Sequence, residues 1–256
     1  MRLVLLGDPV AESRSPAIQR AALAAAGILG SYEARRVDEA GVYLAGAEIR
    51  AGSLRGANVT MPHKRVAAAA ADRLSPEAAR CGAVNTLLGH QGRVVGHNTD
   101  GGGLLAAWER SGIPRGVLVL VLGGGGGAAA ALVALAGANL AVATRRRGAG
   151  ASLAAALGVP AVEVPWGRPL PGAVVLNATP LGMHGESLPP GLVEASAALV
   201  DLPYGPEPTP AVALARRRGL PVADGLDLLV AQAALSFELW TGVAAPRAAM
   251  EAAARS

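Results

Sequence analysis

Val117-Leu118-Val119-Leu120-Val121-Leu122, followed at once by Gly123-Gly124-Gly125-Gly126-Gly127 and then by an alanine-rich run over 128–135, decides the fold. Six apolar residues without polar alternation predict a strand buried on both faces, the way parallel sheets read. The glycines predict a tight turn and the alanines a helix, so the stretch opens a parallel βαβ unit. In such a unit, glycine lets backbone N–H groups approach a pyrophosphate and lets the helix close on its strand. Glycine stands at every position, so spacing alone singles out no fingerprint. A ligand-free turn is the alternative, and the flanking strand and helix favour a dinucleotide. No Gly-Lys-Ser/Thr follows, which argues against a nucleoside-triphosphate loop.

The next strand, over 139–143, ends at Thr144-Arg145-Arg146-Arg147. An acid at this point holds the ribose hydroxyls of NAD, whereas basic residues accommodate the 2′-phosphate of NADP. Guanidinium groups suit a phosphate through paired hydrogen bonds. A solvated basic loop is the alternative; its place in the βαβ unit favours NADP(H).

Outward from this unit, further strands are predicted over 174–177 and 198–201, and amphipathic helices after Asp224 and over 246–254. Toward the N-terminus the strands fall over 2–7, 32–37, 56–60, 83–88 and 93–96. Helices are predicted from Ser15 to about Gly27, with Ser15 as N-cap and Pro16 in the first turn, over 66–73, and from Asn98-Thr99-Asp100 to Ser111. The whole reads as two α/β domains: an N-terminal substrate-binding domain, 1–98 joined by 225–256, and a doubly wound, Rossmann-type NADP-binding domain over 99–224.

Composition narrows the class. Of 256 residues, 52% are hydrophobic and only 3% aromatic. That favours a packed core and leaves too few rings for stacking single-stranded nucleic acid. A net charge of +4 is small for this length, so no nucleic-acid partner is expected. Cys81 is the only cysteine, which excludes an intramolecular disulfide and a multi-thiolate metal site. No apolar stretch reaches the roughly 20 residues of a membrane span, and the N-terminal run is too short for a secretory signal. A cytoplasmic protein with no membrane partner is expected, and a homodimer is compatible with the sequence.

Among 23 Lys and Arg, Lys64 is the one lysine, and asparagine occurs only at 58, 85, 98, 139 and 177. Residue types used so sparingly mark places where Arg or Ala could not substitute. The rare polar residues gather in Ser13-Arg14-Ser15, Asn58-Val59-Thr60-Met61-Pro62-His63-Lys64, Asn85-Thr86 and Asn98-Thr99-Asp100. Each cluster could be a cap or turn. All lie at strand ends, where α/β folds place ligands, and together they suit a polyhydroxylated acid. Arginine holds its proton too tightly to give it up, which supplies a chemical reason for an arginine-rich chain to keep one lysine.

These clusters, with Gly82-Ala83-Val84-Asn85-Thr86, Gly96-His97-Asn98-Thr99-Asp100, Asn177-Ala178-Thr179-Pro180-Leu181-Gly182-Met183 and the segments 201–210, 225–232 and 236–238, resemble the shikimate dehydrogenase family over nearly the whole chain. The resemblance implies reversible reduction of 3-dehydroshikimate to shikimate by NADPH, in the route to chorismate and aromatic amino acids, with a cleft between two domains. It implies that Ser13 and Ser15 hold the substrate carboxylate, that Thr60, Asn85, Asp100 and Gln232 bind ring hydroxyls, and that Tyr204 closes the site. Lys64 would exchange the proton at the reacting oxygen, with Asp100 as its partner. Gly123 to Gly127, Thr144, Arg145, Arg146, Arg147, Leu202 and Gly225 would line the cofactor.

The chain departs from the family pattern at Gln19 and Arg20, where His-Asn is usual, and at Leu228, where Met is usual. Thr144-Arg145-Arg146 replaces Asn-Arg-Thr, and Ala149 replaces a further Arg. Three other readings stay open: a quinate/shikimate dehydrogenase preferring NAD, a folate-linked dehydrogenase, and a catalytically silent nucleotide-binding regulator.

Overall fold

The computed structural model describes residues 1–256 and divides into two units, Met1–Gly103 with Leu229–Ser256, and Leu104–Leu228. The divisions fall inside two helices, α5 (Asp100–Arg110) and α9 (Gly225–Thr241), a few residues beyond the boundaries expected from the sequence.

In the first unit, β1 (Arg2–Gly7), β2 (Ser31–Arg36) and β3 (Gly56–Val59) run parallel, followed by β4 (Arg73–Leu74), β5 (Thr86–His90) and β6 (Arg93–His97). The sheet order is β2-β1-β3-β5-β6-β4, with β5 antiparallel to both neighbours. Successive side chains of β1 point to opposite faces. Val4 and Leu6 pack with Val42, Ile49 and Ala67 of α2 (Glu39–Arg50) and α3 (Lys64–Ala70). Leu3 and Leu5 pack on the other face with Tyr32 and Trp240. Beyond them, α1 (Ser15–Ala25), α9 and α10 (Arg247–Arg255) share a core of Ile18, Leu23, Val230, Phe237 and Met250.

The antiparallel β5 brings the segment before it, with Asn85, to the end of the sheet where β1, β3 and β6 also finish. Val59 N–H donates to Asn85 O at 2.8 Å, and Val84 N–H to Lys64 O at 2.8 Å. Three of the polar clusters of the sequence, around residues 58–64, 85–86 and 98–100, therefore meet at one end of the sheet.

The second unit holds six parallel strands, β7 (Val119–Leu122), β8 (Leu140–Ala143), β9 (Val162–Glu163), β10 (Val174–Asn177), β11 (Ala198–Asp201) and β12 (Val222–Ala223), in the order β12-β11-β10-β7-β8-β9. This is the doubly wound order of dinucleotide-binding folds, which reverses between β7 and β10. The four central strands are buried along their length, and polar residues enter only at their C-terminal ends, Asn177 and Asp201. The helices are α6 (Gly126–Ala134), α7 (Ala149–Ala156) and α8 (Pro210–Arg217).

Two local expectations are corrected. Ser15 is not the N-cap of α1: Arg14 takes that position without a side-chain capping bond, and Ser13 Oγ accepts the Ser15 N–H at 3.3 Å. The helix expected over 66–73 spans Lys64–Ala70 instead, because Ala71 is extended and Asp72 turns back to accept the Val94 N–H. Four helices had no sequence assignment: α2, α4 (Pro76–Cys81), α7 and α8. Three of them carry side-chain caps, Asp38, Ser75 and Thr209.

Candidate active site

Lys64 begins α3, one residue past the turn that leaves β3 through a cis Met61–Pro62 bond. Its Nζ donates to Asp100 Oδ2 at 2.6 Å, with the two side chains 27% and 22% exposed. The pair is thus sheltered yet reachable. Asp100 opens α5 and is set there by Asn98, whose Oδ1 accepts the Asp100 N–H at 3.0 Å while its amide donates to Ala83 O. Asn85 Nδ2 donates to the other carboxylate oxygen, Asp100 Oδ1, at 2.7 Å and to Thr99 Oγ1 at 2.9 Å. Both Asp100 oxygens are therefore held, one by a cation and one by an amide.

Gln232 reaches the same cluster from α9, its Oε1 lying 3.3 Å from Thr99 Oγ1 and 3.4 Å from Asn85 Nδ2. This approach depends on Gly103. A Cβ there would lie 2.7 Å from both the Cβ and the backbone N of Gln232, so only glycine lets α5 and α9 come this close. Below lies a buried tier: Asn58 Nδ2 donates to Thr86 Oγ1 and Ser236 Oγ at 3.1 Å each, and Tyr32 donates to Asn58 Oδ1 at 2.7 Å. Burial pushes the Tyr32 hydroxyl well above its ordinary range, so it stays a neutral donor.

Of the residues expected to hold substrate, Asn85, Asp100 and Gln232 are thus brought together with Lys64. Ser13, Ser15 and Thr60 stand at the ends of the β1–α1 connection and of β3 in the same unit, and no hydrogen bond joins them to the Lys64–Asp100 cluster. Tyr204 lies in the second unit, partly buried, in the connection from β11 to α8. Thr99, Asn58, Thr86 and Ser236 had been given no individual role from the sequence. Ser236 is marked in the sequence only as part of the segment 236–238; besides Gln232 O one turn back, its hydroxyl meets residues 58, 86 and 99, far from it in the chain.

The second unit supplies the glycine turn. Gly123 has φ +118°, and a Cβ there would lie 2.9 Å from Ala178 O, so the turn requires glycine. At Gly125 and Gly126 a Cβ would meet nothing within 4 Å, which leaves their backbone open to a ligand. Gly125 is the N-cap of α6 and offers no side-chain capping bond, so the first-turn N–H groups face that space without a side-chain acceptor. A pyrophosphate fits such a cradle. Leu202 packs against it: a Cβ on Gly127 would lie 2.9 Å from Leu202 Cδ2, and one on Gly225 2.6 Å from Leu202 O.

Thr144 is buried at the end of β8 and its hydroxyl donates to Arg146 O at 2.7 Å, shaping the turn. Arg145, Arg146 and Arg147 are exposed and make no ion pair. Three unpaired cations beside a dinucleotide cradle fit a 2′-phosphate. Asp201, ending β11, is fully buried and accepts hydrogen bonds from Asn177 Nδ2 at 2.7 Å and from the Thr209 hydroxyl. Burial lifts its carboxyl to about 6, with the two hydrogen bonds pulling the other way.

Comparison with known proteins gives the family. Residues 5–87 match the family model of the shikimate dehydrogenase substrate binding domain, and residues 225–255 that of the shikimate 5′-dehydrogenase C-terminal domain. The chain is 41% identical over 258 residues to a shikimate dehydrogenase (NADP(+)) of Thermus thermophilus, covering 100% of this chain and 98% of the relative. It is 42% identical over 260 residues to one of Methylobacterium radiotolerans, covering 94% and 91%. A shikimate 5-dehydrogenase of Thermus thermophilus, solved in complex with NADP(H) and shikimate, superposes with a TM-score of 0.91 at 40% identity over 100% of this chain and 98% of that one. No helix is long and apolar enough to cross a membrane.

Proposed function

The chain belongs to the shikimate dehydrogenase family, and from that premise we propose that Lys64 and Asp100 carry the proton transfer in its reaction. The reaction is the reversible, NADPH-dependent reduction of 3-dehydroshikimate to shikimate, a step of aromatic biosynthesis. NADPH, when bound, supplies the hydride that converts the ketone carbon to an alcohol carbon.

The protein's part begins with the oxygen of that ketone, which gains negative charge as the hydride arrives. An ammonium has three N–H donors. One of those on Lys64 points at Asp100 Oδ2, leaving two for solvent or substrate. Lys64 Nζ gives a proton to the reacting oxygen, and in the reverse direction takes it back. Asp100, gripped on its other oxygen by Asn85, holds Nζ in position and presents an acceptor to a neighbouring hydroxyl. A positioned proton donor of this kind contributes about 10²–10⁴ in rate. The observation that carries the assignment is the 2.6 Å Lys64–Asp100 contact in a chain with no other lysine.

Ser13 and Ser15 are assigned to the substrate carboxylate, Thr60, Asn85 and Gln232 to its ring hydroxyls, and Tyr204 to a further substrate contact. Supporting this, the first-unit residues share the polar end of one sheet. Gly123 to Gly127, Leu202 and Gly225 are assigned to the cofactor body, and Thr144, Arg145, Arg146 and Arg147 to its 2′-phosphate. Mixing the protein with shikimate and NADP, and following NADPH absorbance, tests the whole reading. NADPH formation dependent on both compounds is expected, and turnover of shikimate only with NAD would contradict it.

A further inference from the structure

The basic turn after β8 carries a negative charge that its sequence does not announce. Glu163 ends the edge strand β9, where it sits opposite Val142 of β8. Its carboxylate accepts the Gly148 N–H at 2.9 and 3.1 Å and the Gly150 N–H at 3.3 Å, and its Oε1 lies 3.3 Å from Thr144 Oγ1, whose proton goes mainly to Arg146 O. Gly148 is the N-cap of α7 and has no side-chain capping bond of its own. Glu163 therefore occupies the amides at the start of α7 as an internal anion, on the turn that presents Arg145, Arg146 and Arg147. None of these arginines pairs with it, so its charge is not cancelled by a direct contact.

We propose that Glu163 is a specificity residue that holds down the preference of this enzyme for NADP over NAD. The proposal rests on the assignment of the 144–147 turn to the 2′-phosphate. A phosphate docking there gains the three guanidinium groups and meets the resident carboxylate, which lies 3.3 Å from Thr144 Oγ1 on the same turn. A phosphate bound at this turn would sit within the roughly 8 Å screening length at physiological salt, so the repulsion is felt. It also finds the α7 amides already bonded, and so gains nothing from them. The ribose of NAD carries no charge at this position and is indifferent to the carboxylate's sign. Ala149, the first residue of α7, adds no cation that could offset it.

The test is calorimetric titration of NADP and NAD, without substrate, into the wild-type protein and its Glu163→Gln and Glu163→Ser variants. Both variants remove the charge, one keeping an acceptor for the α7 amides and one leaving them to water. The ratio of the NAD Kd to the NADP Kd is expected to rise about fivefold in each, through tighter NADP binding. Both ligands meet the same sample, so partial loss of folded protein lowers both stoichiometries and leaves the ratio intact. An Arg145→Gln, Arg146→Gln, Arg147→Gln triple variant is titrated alongside. A collapsed ratio there with a ratio within twofold of wild type in both Glu163 variants would overturn the proposal and leave the turn's assignment standing. An unchanged ratio in the triple variant would overturn both.

Discussion

Asn85 Nδ2 lies 2.7 Å from Asp100 Oδ1, on the carboxylate oxygen that Lys64 does not use. Asn85 also accepts the Thr99 N–H through Oδ1 at 2.9 Å, so its amide is oriented from both ends. The Lys64–Asp100 pair is thus part of a network whose geometry comes from three separate elements, the start of α3, the segment before β5 and the start of α5.

Asn85→Asp replaces the donor to Asp100 with a second carboxylate. Like charges at hydrogen-bond distance repel, and Asp100 would turn away from Lys64 or hold a proton. We expect kcat to fall by at least about tenfold. Full kcat with only KM raised would restrict Asn85 to substrate binding.

Gly103→Ala drives a methyl into Gln232, with both its Cβ and backbone N at 2.7 Å. Overpacking of this kind costs about 1–3 kcal/mol, and here it separates α5 from α9. A lowered Tm together with a raised KM for shikimate is expected. An unchanged Tm would mean that the two helices tolerate a wider spacing than the structure has.

At the glycine turn two substitutions separate folding from binding. Gly125 has extended backbone, φ −96°, and open space at its Cβ, so Gly125→Ala is expected to keep wild-type Tm and weaken NADP binding by crowding the phosphates. Gly123→Ala, at φ +118°, is expected to lose stability as well. NADP titration and thermal melts of both variants check this; tight binding by Gly125→Ala contradicts the cradle.

Asp201 imposes a pH dependence on stability. The folded protein keeps this proton up to about pH 6, whereas an unperturbed aspartate releases it near 3.8. The folded state binds the extra proton between those values, so this contribution is complete below pH 3.8 and is lost as pH rises through about 6. Urea unfolding of wild type against Asp201→Asn should show the wild type losing, relative to the variant, on the order of 2 kcal/mol across that window. Parallel curves would contradict it.

How far these features were legible differs by residue. The strand over 119–122 and the turn after it could be read because a fully apolar run meeting glycines has few other structural meanings. Lys64 and Asn85 stood out by rarity in a chain of Arg and Ala, and Asp100 by following Asn98-Thr99 at a predicted helix start. Helices α2, α4 and α8 had legible starts in Asp38, Ser75-Pro76 and Thr209-Pro210, the cap and first-turn residues that helices favour. Gly103 read as an ordinary helix residue, because a close approach is a property of two helices and not of one. Glu163 was silent for the same reason, since sheet order brings residues 144, 148 and 150 to it; Ser236 was marked only through the segment 236–238, and its contacts with residues 58, 86 and 99 are likewise tertiary.

The central claim, that Lys64 supplies the proton, is tested most directly by Lys64→Met. Methionine keeps a flexible side chain of similar reach, without the ammonium. The measurement is kcat for shikimate oxidation together with calorimetric NADP binding on the same folded protein. The account predicts a kcat lower by about 10²-fold or more with NADP binding within a few-fold of wild type. A folded Lys64→Met protein turning over at near-normal kcat would contradict it.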